Sequence, residues 1–173
     1  MSLTFAQIEN TQLGSMSFVA GEKGLQGVAF ISLKKLKQEM NLTYGSPSLK
    51  GLEILSTLLV EVNEYLDGIR QAFSVDIDWS VTRGFQLQVL KHAAKIPYGQ
   101  VLSYAAMAEQ LNKPGAARAV GNALAQNPMP IVIPCHRVIG SDHSLSGYLG
   151  GIDVKAYLLS LEGHTIQNNK VVS

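Results

Sequence analysis

The stretch Ile131-Val132-Ile133-Pro134-Cys135-His136-Arg137-Val138-Ile139 constrains this chain more than any other. It is apolar enough to demand an interior place, yet a thiol, an imidazole and a guanidinium interrupt it at successive positions. Burying three such groups is costly unless each is paired or put to use. The fold must therefore deliver partners to this segment from elsewhere. Singly, each residue has an ordinary explanation: a core cysteine, a structural histidine, an arginine in an ion pair. Together they form a candidate nucleophile and base. A thiol attacks poorly until it loses its proton, and at an ordinary pKa of about 8.5 only a few per cent is thiolate near neutrality. His136 is the adjacent base. On an extended strand neighbouring side chains point to opposite faces, so His136 would meet the sulfur only through a bend or a water. A base works better when a third group fixes its tautomer. Glu162 is the best distant candidate for that group, with Glu109, Asp142 and Asp153 as competitors.

Cys135 is the only cysteine, which rules out a disulfide within the chain and a cysteine-rich zinc site. No metal and no cofactor are expected. With 46% hydrophobic and 16% charged residues, 173 residues can bury a substantial core or two small ones. No apolar run reaches the roughly 18 residues of a membrane span, and the opening MSLTFAQIEN lacks a secretory pattern. A cytoplasmic protein without membrane association is expected. Charge is unevenly spread: residues 1–78 hold six Lys/Arg against nine Asp/Glu, and residues 79–173 hold eight against four. A polyanion should prefer the second half.

Along the chain, 3–8 reads as a strand, and 15–20 and 25–31 as two more joined by the hairpin signal Gly21-Glu22-Lys23-Gly24. A short helix follows at 32–40 and a loop at 41–47. Residues 48–73 carry Leu52, Leu55, Leu58, Leu59, Val62, Leu66, Ile69 and Phe73 at spacings of three and four, one helical stripe, with Glu53, Glu61, Glu64 and Asp67 on the wet face. Thr82 is a candidate cap for a helix that Ile96-Pro97-Tyr98-Gly99-Gln100 ends. Ser103 caps a helix from Tyr104 to Leu111, and Ala116 to Gln126 forms a second, built of small residues. Two short helices joined by a tight turn suggest helix-turn-helix, or an ordinary helical hairpin. Val154 to Leu161 is a last helix, with Gly163 just beyond its end.

Ile133-Pro134-Cys135-His136-Arg137-Val138 resembles the active-site signature of the O6-alkylguanine-DNA alkyltransferases, also called methylated-DNA–protein-cysteine methyltransferases. Ala116-Ala117-Arg118-Ala119-Val120-Gly121 resembles their recognition helix, and Asn127-Pro128-Met129-Pro130 their hinge. Gly147-Tyr148 and Gly150-Gly151 resemble their pocket loop, and Leu161-Glu162-Gly163 their terminal acid. The likeness is good over about residues 80–163, including Phe85 to Gln100. Over the first 78 residues it is loose, carried by Tyr65-Leu66-Asp67-Gly68.

The resemblance implies an α+β protein of two domains. Residues 1–78 would be a small ribonuclease-H-like α/β domain, and residues 79–173 a mostly helical winged helix-turn-helix domain carrying the pocket. It implies that O6-alkylguanine is rotated out of double-stranded DNA, because chemistry at O6 is inaccessible inside the stack. Cys135 would take the alkyl group irreversibly, once per molecule. His136 would act on the thiol through a water, Glu162 would hold His136, and Tyr104 would turn the nucleotide and hydrogen-bond the guanine ring. Arg118 would enter the stack from the minor groove, with Ala116, Ala117, Ala119 and Gly121 allowing close approach. Pro130, Val138, Tyr148, Leu149 and Gly150 would line the substrate pocket. The carbonyls of Cys135 and Val138 would receive the exocyclic amine, and Asn127 would brace the hinge. Lys155 falls near the pocket without a role. A monomer is expected.

Two departures stand out. Leu149 replaces a serine of some relatives, and Gly150 opens the adjacent wall, so bulky O6 substituents such as benzyl should be tolerated. The vertebrate-type zinc cluster is missing, since its cysteines are absent. Three rivals remain at this stage: a damage sensor of the alkyltransferase-like class, a winged-helix transcription regulator, and an unrelated thiol hydrolase. Cys135 argues against the first.

Overall fold

A computed structural model describes residues 2–39 and 46–173. It is a mixed α+β structure that divides into two compact units, Met1–Val81 and Thr82–Ser173.

In the first unit, strands β1 (Thr4–Thr11), β2 (Gly14–Gly21) and β3 (Gly24–Ala29) form an antiparallel sheet in that order. The central strand is buried from Met16 to Gly21 without alternation. Gly24 closes the β2–β3 hairpin at φ +142°, and a Cβ there would stand 2.6 Å from the Asp76 carbonyl. That close approach lets Leu25 exchange backbone hydrogen bonds with Asp76 and Asp78 at 2.8 and 2.9 Å. Helix α1 (Leu33–Glu39) follows; Met40 and the expected loop from Asn41 to Gly45 lie outside the described residues.

Helix α2 (Leu49–Leu66) packs on the three strands. Ser48 caps it, its Oγ accepting from Gly51 N at 2.8 Å, while Ser48 N donates to Thr4 Oγ1 at 3.0 Å. A Cβ on Gly51 would stand 2.5 Å from Thr4 Oγ1, so glycine is what lets helix and strand meet. Ile54, Leu55, Leu58, Val62 and Tyr65 form the buried stripe.

The 48–73 helix expected from spacing ends seven residues early. Gly68 takes φ +73° just past the C-cap and turns the chain back. Ile69 is consequently exposed, and Phe73 returns to pack its ring 5.4 Å from that of Tyr65. Glu61 is not on the wet face. It is buried, accepting from Ser74 N at 3.1 and 3.0 Å and pairing with Arg70 at 3.1 Å. Leu52, assigned to the core stripe, is exposed.

The second unit holds α3 (Gly84–Ala93), β4 (Leu102–Ser103), α4 (Tyr104–Gln110), α5 (Ala117–Ala125), β5 (Val138–Ile139), α6 (Ile152–Leu161) and the hairpin β6 (Ile166–Gln167)–β7 (Lys170–Val171). Helix α5 packs against both α3 and α4. Strands β4 and β5 pair in parallel, Leu102 with Val138 and Ser103 with Ile139, which joins the start of α4 to the residues just after Cys135. Thr82 does not cap α3; Arg83 occupies that position and makes no side-chain cap. The run 131–139 is no continuous strand either. Ile131 sits at φ +74°, Cys135–Arg137 form a 3-10 turn, and only Val138 and Ile139 are extended. Among the described residues, no helix is long and apolar enough to cross a membrane.

Candidate active site

The 3-10 turn puts Cys135, His136 and Arg137 in the interior together, and all three are buried. The turn follows Asn127-Pro128-Met129-Pro130, in which Pro128 and Pro130 lack the N–H that a helix or sheet would use. Ile131 holds a left-handed conformation that a β-branched residue rarely adopts, which costs about 1–3 kcal/mol and persists only where the surroundings enforce it. Asn127 is central to that enforcement. Its Oδ1 accepts from Met129 N at 3.0 Å, and its Nδ2 donates to Ile133 O at 2.9 Å and to the Cys135 sulfur at 3.0 Å. Expected only as a hinge brace, Asn127 also touches the sulfur.

Behind the turn lies a buried charge chain. Glu162, at the C-cap of α6, takes His136 Nε2 on Oε1 at 2.9 Å. It takes Arg137 on both oxygens, Nε to Oε2 and the terminal nitrogen to Oε1, each at 2.8 Å. Gly99 N adds a bond to Oε2 at 3.3 Å. Arg137 also donates to Ile96 O, and Tyr98 donates to Leu161 O at 2.8 Å. The Ile96–Gln100 segment, taken from sequence only as a helix terminator, thus seals the acid. Burial alone would raise the Glu162 carboxyl, but the bonds from His136 and Arg137 outweigh it and hold it at about 2. Burial pulls His136 down, with Glu162 opposing. At neutral pH the pair is a neutral imidazole beside a carboxylate. Nε2 then carries the proton that faces Glu162, leaving Nδ1 as the basic nitrogen.

Burial pushes the Cys135 thiol up to about 11, against hydrogen bonding from Asn127, the charge of Lys155, and the backbone N–H groups of Cys135 and His136. Lys155 is fully buried, with Nζ 2.6 Å from Val138 O, 3.0 Å from Ser146 O and 3.3 Å from Tyr104 Oη. Burial lowers it to about 8, with Cys135 pulling the other way. Sequence reading gave it no role, although Lys155, Leu158, Leu159 and Glu162 share the inward stripe of α6 at helical spacing.

Tyr104 opens α4, set there by Ser103 Oγ, which accepts from Ala106 N at 3.0 Å. Its hydroxyl donates to Ser146 O at 2.9 Å, and Gly121 of α5 lies against its ring. Tyr148 approaches His136 edge-on, with ring centroids 6.4 Å apart. Pro130 and Val138 are buried, Gly150 is half-buried, and Leu149 is 58% exposed. Arg118 stands exposed on α5, with Ala116 and Ala117 half-buried beside it. The structure therefore gathers Cys135, His136, Glu162, Asn127, Val138 and Tyr148 around the turn, with Tyr104 reached through Lys155. Arg118 belongs to a surface helix.

The family model for the 6-O-methylguanine DNA methyltransferase, DNA binding domain, matches residues 84–164. A Methanosarcina barkeri methylated-DNA–protein-cysteine methyltransferase is 33% identical over 163 residues, 94% of this chain and 99% of its own length. The inducible methylated-DNA–protein-cysteine methyltransferase of Bacillus subtilis is 48% identical over 108 residues; the match spans 62% of this chain but only 60% of that relative. The crystal structure of Mycobacterium tuberculosis OGT in complex with DNA superposes with a TM-score of 0.76 at 35% identity, covering 91% of each chain.

Proposed function

The chain belongs to the methylated-DNA–protein-cysteine methyltransferase family, and from that membership we propose that it repairs DNA by moving an alkyl group from O6 of guanine onto Cys135. The observation that carries the proposal is the sulfur itself. It lies in a buried turn, held by Asn127 Nδ2, next to a histidine that Glu162, itself clamped by Arg137, fixes in place.

His136 Nδ1 takes the thiol proton through a water. A sulfur lone pair then forms the S–C bond to the alkyl carbon, the C–O6 bond breaks, and its electron pair leaves with guanine. Tyr104 donates to the guanine ring as that charge develops. The product is a thioether that nothing in the chain reverses, so each molecule acts once.

DNA is the partner, as in the M. tuberculosis OGT complex, and the form proposed for this chain is double-stranded. Helices α4 and α5, joined by a short turn, support a winged helix-turn-helix reading of residues 79–173. The three-stranded sheet backed by α2 supports a ribonuclease-H-like reading of residues 1–78. Exposed Arg118 enters the stack from the minor groove and replaces the rotated guanine, whose pocket is walled by Pro130, Val138, Tyr148, Leu149 and Gly150. The protein works as a monomer in the cytoplasm.

The test is incubation with an oligonucleotide containing O6-methylguanine, followed by intact protein mass. A gain of one methyl group, abolished by Cys135→Ser, is expected. A damage sensor, a transcription regulator and a thiol hydrolase would each leave the mass unchanged.

A further inference from the structure

Lys155 is the buried charged group that the reaction above leaves unused. An ammonium has three N–H donors, and the structure offers it three oxygens: Val138 O, Ser146 O and Tyr104 Oη. Val138 begins the strand that leaves the Cys135 turn, Ser146 begins the loop leading to α6, and Tyr104 begins α4. One side chain thus ties three segments around the sulfur to α6.

The tie at Ser146 is double. Its carbonyl accepts from Lys155 Nζ at 3.0 Å and from the Tyr104 hydroxyl at 2.9 Å. A tyrosine hydroxyl has a single proton to give. The Tyr104 proton is committed to Ser146 O, so toward Lys155 the hydroxyl acts as acceptor. A Tyr104 that donates to a bound base must first withdraw from Ser146 O. The loop that would then lose a bond runs between glycines at positive φ, Gly147 at +42° and Gly151 at +93°, conformations through which a backbone pivots readily.

We propose that Lys155 is a positioning residue that keeps the Ser146 end of the pocket loop in place while Tyr104 transfers its hydrogen bond from Ser146 O to the substrate base. This rests on the alkyltransferase reading, since it needs a base for Tyr104 to address. The second donor on Ser146 O means that Tyr104's departure orphans no carbonyl. The anchor does not move with the loop, because Lys155 is also held at Val138 O and rooted in α6. Burial lowers it only to about 8, so Lys155 stays protonated at neutral pH, which suits a three-way donor.

The test combines hydrogen exchange on amides 147–150 of the free protein with single-turnover transfer from a methylated oligonucleotide. The proteins are wild type, Tyr104→Phe, Lys155→Met and the double variant. Each single variant keeps one donor on Ser146 O, so loop protection should fall by no more than about threefold. The double variant should lose at least about tenfold, the loss of a hydrogen bond. Transfer by Lys155→Met should slow at least about tenfold, and adding Tyr104→Phe should cost less than it does in wild type, because the two groups act on one carbonyl. Lys155→Gln retains amide donors and should restore loop protection in the Tyr104→Phe background; it also supplies the comparison if Lys155→Met does not fold. Additive exchange losses, wild-type transfer by Lys155→Met, or no rescue by glutamine would overturn the proposal. A wild-type protein that gains no methyl would overturn the alkyltransferase reading instead, and the exchange results would still report on the double tie.

Discussion

Replacing Glu162 with glutamine should cost the folded protein about 3 kcal/mol, and two independent lines give that figure. The carboxyl is pulled from 4.5 to about 2 in the folded chain, chiefly by His136 and Arg137 acting against burial. At about 1.4 kcal/mol per tenfold change in proton affinity, that displacement is worth about 3 kcal/mol. Separately, removing one partner of a buried ion pair costs about 3–5 kcal/mol, because the other charge is left uncompensated. Arg137 would be that charge, and it is only 6% exposed. The pH dependence has a definite sign. Glu162 titrates lower folded than unfolded, so its contribution is complete above pH 4.5 and is lost as pH falls to about 2. Urea unfolding of wild type and Glu162→Gln at pH 7 and pH 3 reads both effects. At pH 7 the variant should be weaker by about 3 kcal/mol, with a melting temperature lower by about 6–12 °C for a chain of this size. By pH 3 the gap should have narrowed by more than half. Other carboxylates titrate in both proteins and cancel in the difference. A gap under 1 kcal/mol at pH 7, or a gap independent of pH, would refute the buried charge chain.

Three further expectations follow from the same geometry. Asn127→Ala removes a donor from the sulfur and leaves Met129 N–H buried without its acceptor; stability should fall by about 1–3 kcal/mol and transfer by at least about tenfold, read by denaturant melts and single-turnover rates. With its thiol pushed up to about 11, Cys135 in the free protein should react with iodoacetamide roughly 100-fold or more slowly at pH 7 than a free cysteine, accelerating as pH rises past 9; rapid labelling at pH 7 would reject the buried-thiol picture. O6-benzylguanine should add a benzyl group to the intact mass, since Leu149 is turned largely to solvent and Gly150 leaves the wall open; an unchanged mass would reject the tolerance.

The elements that could be read from sequence are those whose signals are local. The β2–β3 hairpin has its glycines at the turn, and Ser103 caps α4 through its own side chain. The errors come from partners that sequence spacing does not reveal. Glu61 lies where a helical wheel puts solvent, yet Arg70 and Ser74 fold back onto it after Gly68. The composition of the apolar run 131–139 fits a strand, yet only Val138 and Ile139 are extended. Pro128, Pro130 and Pro134, each lacking an N–H, were the readable sign that it could not be a regular ladder strand. The β6–β7 hairpin has no counterpart among the sequence expectations although Asn168-Asn169 marks it, both residues adopting positive φ as a tight hairpin turn requires. The pairing of His136 with Glu162 could be anticipated, from the scarcity of acids in the second half and from the resemblance. Arg137's place on Glu162 and Lys155's place beneath Val138 could not, since both depend on where α6 packs.

The surroundings of the sulfur also bear on how a thiol so unwilling to ionise would serve as the proposed nucleophile. Arg137 is matched by Glu162, so the charge that acts on the sulfur is that of Lys155, one surplus positive charge while the thiol is neutral. Ionising Cys135 removes the surplus. Donors for the anion are already aimed before it forms: Asn127 Nδ2 and the N–H groups of Cys135 and His136. Reactivity is therefore held in a prearranged environment and not in a resting thiolate. A protein whose single thiol is consumed in one reaction gains from that arrangement, because an idle thiolate would be spent on any small alkylating agent. For the proposed reaction the same reasoning orders the events: substrate would enter before His136 takes the proton, so the thiol should respond to a seated guanine far more strongly than to pH.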